Sequence, residues 1–226
     1  MAVSYNPSIV TNGLVLALDA GNTKSYPGTS TAWTDLSSSL NNGTLTNGPT
    51  FSSSNGGSIV FDGVDDTTIV TDSNSLDLSS AITIEAWIYP TKSTGVQNVI
   101  SKSNSTNNNG YIFPRTDNAW SAVIFYLHIG GWTTLSATWP GLNIWTHTAA
   151  TYDGSNMRVY INGKEANSKA QAGTIATNVN NLTLGDQPTY NEFYGGRLAK
   201  GLIYNRALTA AEILQNFNAT RGRYGI

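Results

Sequence analysis

Apolar and polar residues alternate with a period close to two along most of this chain, the spacing of half-buried β-strands. In ITIEAWIYP, Ile82, Ile84, Ala86 and Ile88 fall on one face, and Thr83, Glu85, Trp87 and Tyr89 on the other. In MRVYING, Met157, Val159 and Ile161 alternate with Arg158, Tyr160 and Asn162; IWTHTAATY and SAVIFYLHIG read as strands too. Turn residues punctuate these runs at Asn12-Gly13, Asn42-Gly43, Asn47-Gly48-Pro49, Asp153-Gly154 and Asn162-Gly163. Asn-Gly between two strand runs predicts a type I′ hairpin, since both turn residues must take positive φ, and VYINGKEA is the clearest instance. Many short strands at this spacing predict an all-β, two-sheet antiparallel jelly-roll sandwich.

The period changes once, near the end, in ALTAAEILQNFNATRG. Thr209 and Glu212 have the spacing of a capping box, in which each satisfies an otherwise free amide of the first turn. Ile213, Leu214 and Phe217 then share one side at helical spacing, and Gly222 is placed to end this short C-terminal helix. The polar stretch SKSNSTNNNG reads as a surface loop. No composition shift and no repeat divides the chain, so residues 1–226 are expected to form one domain.

Composition narrows the function classes. Only 12% of residues are charged and the formal net charge is −2, which argues against nucleic-acid binding through a basic surface. Without cysteine there is no disulfide, thiolate nucleophile or cysteine-based zinc site. MAVSYNPSIV has neither the basic start nor the apolar run of a signal peptide, and no segment approaches the roughly 18 apolar residues of a membrane span. Asn-x-Ser/Thr sequons at Asn42, Asn104, Asn181 and Asn218 are what chance produces in a chain so rich in Asn and Thr.

Six ordered blocks carry a resemblance. GLVLALDAGN, WTDLSSSLNNGTLTNGPTF, GGSIVFDGVDD, ITIEAWIYP, WTHTAATYDGSNMRVYINGKE and FYGGRLAKGLIYNRALTAAEI resemble, in that order, laminin-G-like domains of the concanavalin A-like lectin/glucanase superfamily. The resemblance implies a jelly roll of about a dozen strands. The phrasing is also similar to standalone versions in tailed-phage structural proteins. It implies a non-enzymatic surface or binding module that meets glycans or other virion proteins, with a homo-oligomer compatible with that role. The expected place is a virion surface or outside a cell. A purely structural virion or adhesion component is the alternative, and a glycan-cleaving enzyme a third.

The candidate sites follow. Asp62, Asp65 and Asp66 lie between the strand runs SIVF and TTIV, where Asp and Gly also serve simply as turn residues. Calcium wants six to eight oxygen ligands, and the resemblance puts the Asp62 side chain and the Gly63 carbonyl at the family's rim calcium site. Where relatives carry an acidic pair, this chain has Ala199-Lys200, and an ammonium at Lys200 is expected to take a cation's place. Glucanases of the superfamily hold nucleophile and acid on one strand face; none of Glu85, Glu165, Glu192 and Glu212 has a carboxylate two residues away. No catalytic residue is therefore assigned, and His128 and His147 are read as strand-face residues. Aromatics are the better lead, because a ring can stack on the C–H face of a sugar. Trp120, Tyr126, Trp132 and Trp139 fall in one segment. Trp132 after Gly-Gly and Trp139 before Pro-Gly are expected on exposed loops, whereas Trp87 and Trp145 are expected in the core.

Overall fold

The computed structural model of the chain describes residues 8–103, 109–187 and 189–226. The sequon at Asn104, half of the SKSNSTNNNG stretch and the first seven residues lie outside these. Among the described residues the strands are β1 (Leu14–Asp19), β2 (Ala32–Trp33), β3 (Gly43–Thr46), β4 (Thr50–Ser52), β5 (Ser58–Asp62), β6 (Thr67–Val70), β7 (Ile82–Pro90) and β8 (Ile100–Lys102). They continue with β9 (Tyr111–Thr116), β10 (Ala122–His128), β11 (Trp132–Thr138), β12 (Thr146–Tyr152), β13 (Asn156–Ile161), β14 (Lys164–Ala170), β15 (Leu182–Leu184) and β16 (Gly195–Tyr204). One helix follows, α1 (Ala210–Thr220).

The strands form two antiparallel sheets. The first runs β14-β13-β12-β7-β16-β5-β4, with β1 also paired to β16; the second runs β11-β10-β9-β8-β15-β6-β3-β2. The alternation predicted for β7 is the reason the sheets stack. Ile82, Ile84, Ala86 and Ile88 point inward and share one buried cluster with Val123, Phe125, Leu127, Leu135 and Ala137 of the opposite sheet. The expected all-β sandwich is the observed one. VYINGKEA forms the predicted hairpin between β13 and β14, with Asn162 at φ 50° and Gly163 at φ 76°. Asn42-Gly43 does not turn: Gly43 opens β3, where its bare α-carbon lets the Thr68 methyl close in. Asn47 and Gly48 do take positive φ, but they join β3 and β4, which belong to different sheets.

The capping box of α1 is present. The Thr209 hydroxyl accepts from the Glu212 amide, and Glu212 accepts from the Thr209 amide at 2.9 Å. The helix lies on the outer face of the first sheet and buries Ile213 and Phe217, worth roughly 1.5–3 kcal/mol each. Leu214 departs from expectation at 43% exposure, because the buried stripe passes through Asn216 and Thr220 instead. Gly222 does not end the segment either. A 3-10 turn carries on over Arg221–Tyr224 and stops at Gly225, in the left-handed region at φ 74°.

Candidate functional site

The second sheet leaves the outer face of β9–β11 open. On β10, Val123, Phe125 and Leu127 point inward, which turns Ile124, Tyr126 and His128 outward. On β11, Leu135 and Ala137 point inward, and Trp132 sits in the outward phase beside β10, opposite His128. Tyr126 and Trp132 meet edge to face with ring centroids 6.1 Å apart, and His128 meets Trp132 at 5.4 Å and 88°. Together with Ile112, Arg115, Gln187, Tyr190 and Glu192, the Tyr126 and Trp132 rings line a cleft of about 480 Å³, within the size range of small-ligand sites.

One ion pair organises the cleft wall. Arg115 donates from Nη2 to Glu192 Oε1 at 2.7 Å and from Nε to Oε2 at 3.2 Å, the two-bond geometry that fixes a guanidinium in one plane. Its Nη1 donates to the Tyr126 hydroxyl at 2.8 Å, and its guanidinium carbon lies 4.8 Å from the Tyr126 ring centre. Asn98 Nδ2 donates to Glu192 Oε2 at 2.5 Å, so the carboxylate is held from both sides. Beyond the wall, burial pushes the Asp186 carboxyl up to about 6, and the Glu192 charge adds to that. Asp186 Oδ1 is buried and makes no hydrogen bond among the described residues.

Of the four aromatic candidates, the structure brings Tyr126 and Trp132 together at the cleft and places the other two elsewhere. Trp120 is 3% exposed and Trp139 5%, and they pack on each other in the core at 5.2 Å. The exposure expected of Trp139 fails for a simple reason. It continues the inward phase of Leu135 and Ala137, and the Pro140-Gly141 turn folds the Gly141 carbonyl back to its indole N–H at 2.7 Å. Trp132 is half-buried at the start of a strand rather than on a loop.

The aspartate loop joins β5 to β6 across the two sheets. The Asp62, Asp65 and Asp66 carboxylates offer oxygens within 4.8 Å of one another, close enough to hold a metal ion, and all are hard donors suited to calcium. The Gly63 carbonyl is already taken, by Lys92 Nζ at 2.7 Å, and Asp62 Oδ1 accepts from the Val64 amide at 2.8 Å. Lys200 is not at this loop. Gly195 is the residue of β16 opposite Asp62, and Lys200, further along the strand, pairs with Asp19 at 3.1 Å. Burial opposes the Asp19 charge, but Lys200 and Arg223 outweigh it and hold the carboxyl below its ordinary value.

Glu85 and His147 are strand-face residues of the first sheet, and both are covered by α1. Glu85 Oε2 lies 3.1 Å from His147 Nε2, and Glu85 Oε1 accepts from Asn216 Nδ2 at 2.8 Å. The space beside them is about 10 Å³, room for no more than one water. Glu85 thus meets an imidazole and an amide, and among the described residues no second carboxylate of a glycosidase pair is beside it. His128, the other strand-face histidine, stands against Trp132 on the outer face of the second sheet.

Two antiparallel sheets joined as a jelly roll, with a helix on one outer face, define a concanavalin A-like sandwich. A family model described as the Concanavalin A-like lectin/glucanases superfamily matches residues 61–214, more than half of the chain, and the chain belongs to that superfamily. No curated protein matches the chain. Among solved structures it is similar to the binding domain of Paraclostridial Mosquitocidal Protein 1, at TM-score 0.72 and 20% identity over 92% of this chain and 52% of that one. It is also similar to domain 4 of AbnA, a GH43 extracellular arabinanase from Geobacillus stearothermophilus solved in complex with arabinotriose, at TM-score 0.71 and 18% identity over 92% of this chain and 99% of that one. A third is the receptor binding domain of a botulinum neurotoxin C/D mosaic serotype, at TM-score 0.73 and 15% identity over 92% and 51%. The chain spans about half the length of these toxin binding domains, and at such identities the likeness concerns the fold. None of the three is a phage protein, so the virion expectation gains no support from them.

Proposed function

We propose that this chain is a non-catalytic carbohydrate-binding module that holds an oligosaccharide in the Tyr126–Trp132 cleft. The observation that carries the reading is the cleft wall. The Arg115–Glu192 pair orients the Tyr126 ring, and the Trp132 ring packs edge to face on Tyr126, before any ligand arrives, the preorganisation that lowers the entropy cost of binding. The arabinotriose complex of the AbnA domain supports a sugar as the ligand of this fold, and that enzyme's extracellular setting supports a place outside a cell. The covered Trp120 and Trp139 then act by supporting the sheet from behind.

The same wall argues against cleavage. Glycoside hydrolysis takes two carboxylates flanking the bond. Glu192 is the one carboxylate lining the cleft among the described residues, and both its oxygens are engaged by Arg115 and Asn98. A glycan array read beside a reducing-sugar assay tests this. The expected outcome is retention on the array without sugar release. Released sugar would overturn the non-catalytic reading, and silence across the array would overturn the carbohydrate reading.

Calcium at Asp62 with the Gly63 carbonyl as a further ligand is the finer form of the metal reading, and it requires Lys92 to let that carbonyl go. Calcium bound only to the folded chain raises the melting temperature by mass action and chelator lowers it. A melt that neither reagent moves contradicts it. Residues 1–226 are taken to act as one domain, for which a single cooperative melting transition is the check.

A further inference from the structure

We propose that the cleft selects uncharged oligosaccharides over acidic ones, because Glu192 neutralises the cation that would otherwise recruit a carboxylate or sulfate. This rests on the cleft being the sugar site. An arginine beside aromatic rings on an open sheet face is, taken alone, an acid-sugar receptor: its planar fork matches a carboxylate in two bonds. Here the fork is already filled. A guanidinium has five N–H bonds; Glu192 takes one from Nε and one from Nη2, and Tyr126 takes one from Nη1, leaving at most two for a ligand. No other charged side chain lines the cleft among the described residues.

An anionic sugar reaching those two donors would sit across the same guanidinium from the Glu192 carboxylate. The pair is mostly out of water, with side-chain exposures of 19% and 15%, so the like-charge repulsion is weakly screened. The rings add to this, since the faces of Tyr126 and Trp132 carry the negative lobe of the aromatic quadrupole and repel an anion lying over them. A neutral sugar meets neither obstacle. Its C–H face packs on the rings, and its hydroxyls accept from the Arg115 N–H groups that Glu192 and Tyr126 leave.

The test compares two oligosaccharides that differ only in a hexuronic acid replacing a hexose, titrated into the wild-type chain and into Glu192→Gln at low and high sodium chloride. The hexose form is expected to bind the wild type at least about tenfold more tightly than the uronate, with little change in salt, because no net charge is matched. In Glu192→Gln the guanidinium loses its counter-charge, and uronate affinity is expected to rise about tenfold at low salt and fall again at high salt. A melting curve confirms that the variant is folded. Should it not fold, the wild-type pair and its salt dependence decide alone. Uronate binding as tight as, or tighter than, hexose in the wild type would overturn the selectivity while leaving the carbohydrate reading standing. Failure of a whole panel of neutral and acidic oligosaccharides to bind would overturn both.

Discussion

The outer face of β7 and β12 presents Trp87, Glu85 and His147; the outer face of β9–β11 presents Tyr126, His128 and Trp132. Both faces carry aromatic rings and one histidine placed by a period of two, and each meets one carboxylate. On the first, α1 covers the residues. Trp87 stacks on Tyr224 at 4.0 Å and Phe217 at 5.8 Å, its indole N–H donates to the Thr220 hydroxyl at 2.8 Å, and Asn216 ties Glu85 to Tyr204. On the second, no helix arrives among the described residues, and the carboxylate comes from Glu192, 77 residues from the Arg115 it holds. The difference teaches that residue type does not separate a covered face from an open one in this fold. What separates them is whether a distant segment returns to cover the sheet.

Breaking the covered face should cost stability. Trp87→Ala empties a stacked site and is expected to destabilise by about 3–5 kcal/mol, read by denaturant unfolding. Trp132→Ala on the open face should cost no more than about 1 kcal/mol; equal losses would erase the contrast. Asn216→Ala removes donors from buried Glu85 and Tyr204 and is expected to cost about 1–3 kcal/mol; Asn98→Ala, which takes a donor from Glu192 at a fully buried position behind the cleft, should cost a similar amount.

Two acids sharpen the contrast through pH. Hydrogen bonds from Arg206 first, and the Thr209 cap, hold Glu212 down to about 2 from 4.5. The stability it contributes is present above pH 4.5 and lost as pH falls toward 2, so Glu212→Gln should flatten the acid limb of the stability curve. Asp186 works the other way. Its carboxyl is raised to about 6 from 3.8, so its contribution is full below 3.8 and lost as pH rises through 6. Asp186→Asn should therefore stabilise the chain at neutral pH and leave it unchanged near pH 3; no gain at pH 7 would refute the burial argument. The smallest effect is expected from Leu214→Ala, within about 0.5 kcal/mol, because that side chain is on the solvent side of α1.

What was legible in the sequence follows the same division. Local signals held where a few neighbouring residues decide the outcome. Asn162-Gly163 makes its turn, Thr209 and Glu212 cap α1, and β7 puts its isoleucines inward. Tyr126 and Trp132 could be singled out as aromatic, but their meeting depends on the register of β10 against β11. Trp139 was misjudged because Pro-Gly after it suggests a loop, while the phase of Leu135 and Ala137 already pointed it inward. Leu214 shows the same limit on a helix, since a polar stripe of Asn216 and Thr220 was buried in its place. Nothing local announces Glu85 with Asn216, 131 residues away, or Arg115 with Glu192. An arginine in YIFPRT, in a chain so poor in charge, was the one available hint, but alternation alone puts Arg115 in phase with the buried Tyr111 and Phe113, and the irregular pairing of β9 with β10 is what turns it outward.

The central claim is that the open face binds and the covered face holds the fold together. Titration of the tightest array ligand into wild type and Trp132→Ala, with melting curves on the same samples, tests it most directly. The account predicts at least about a tenfold loss of affinity, as for a buried aromatic anchor, with melting nearly unchanged. Affinity equal to wild type in a folded Trp132→Ala chain would contradict it.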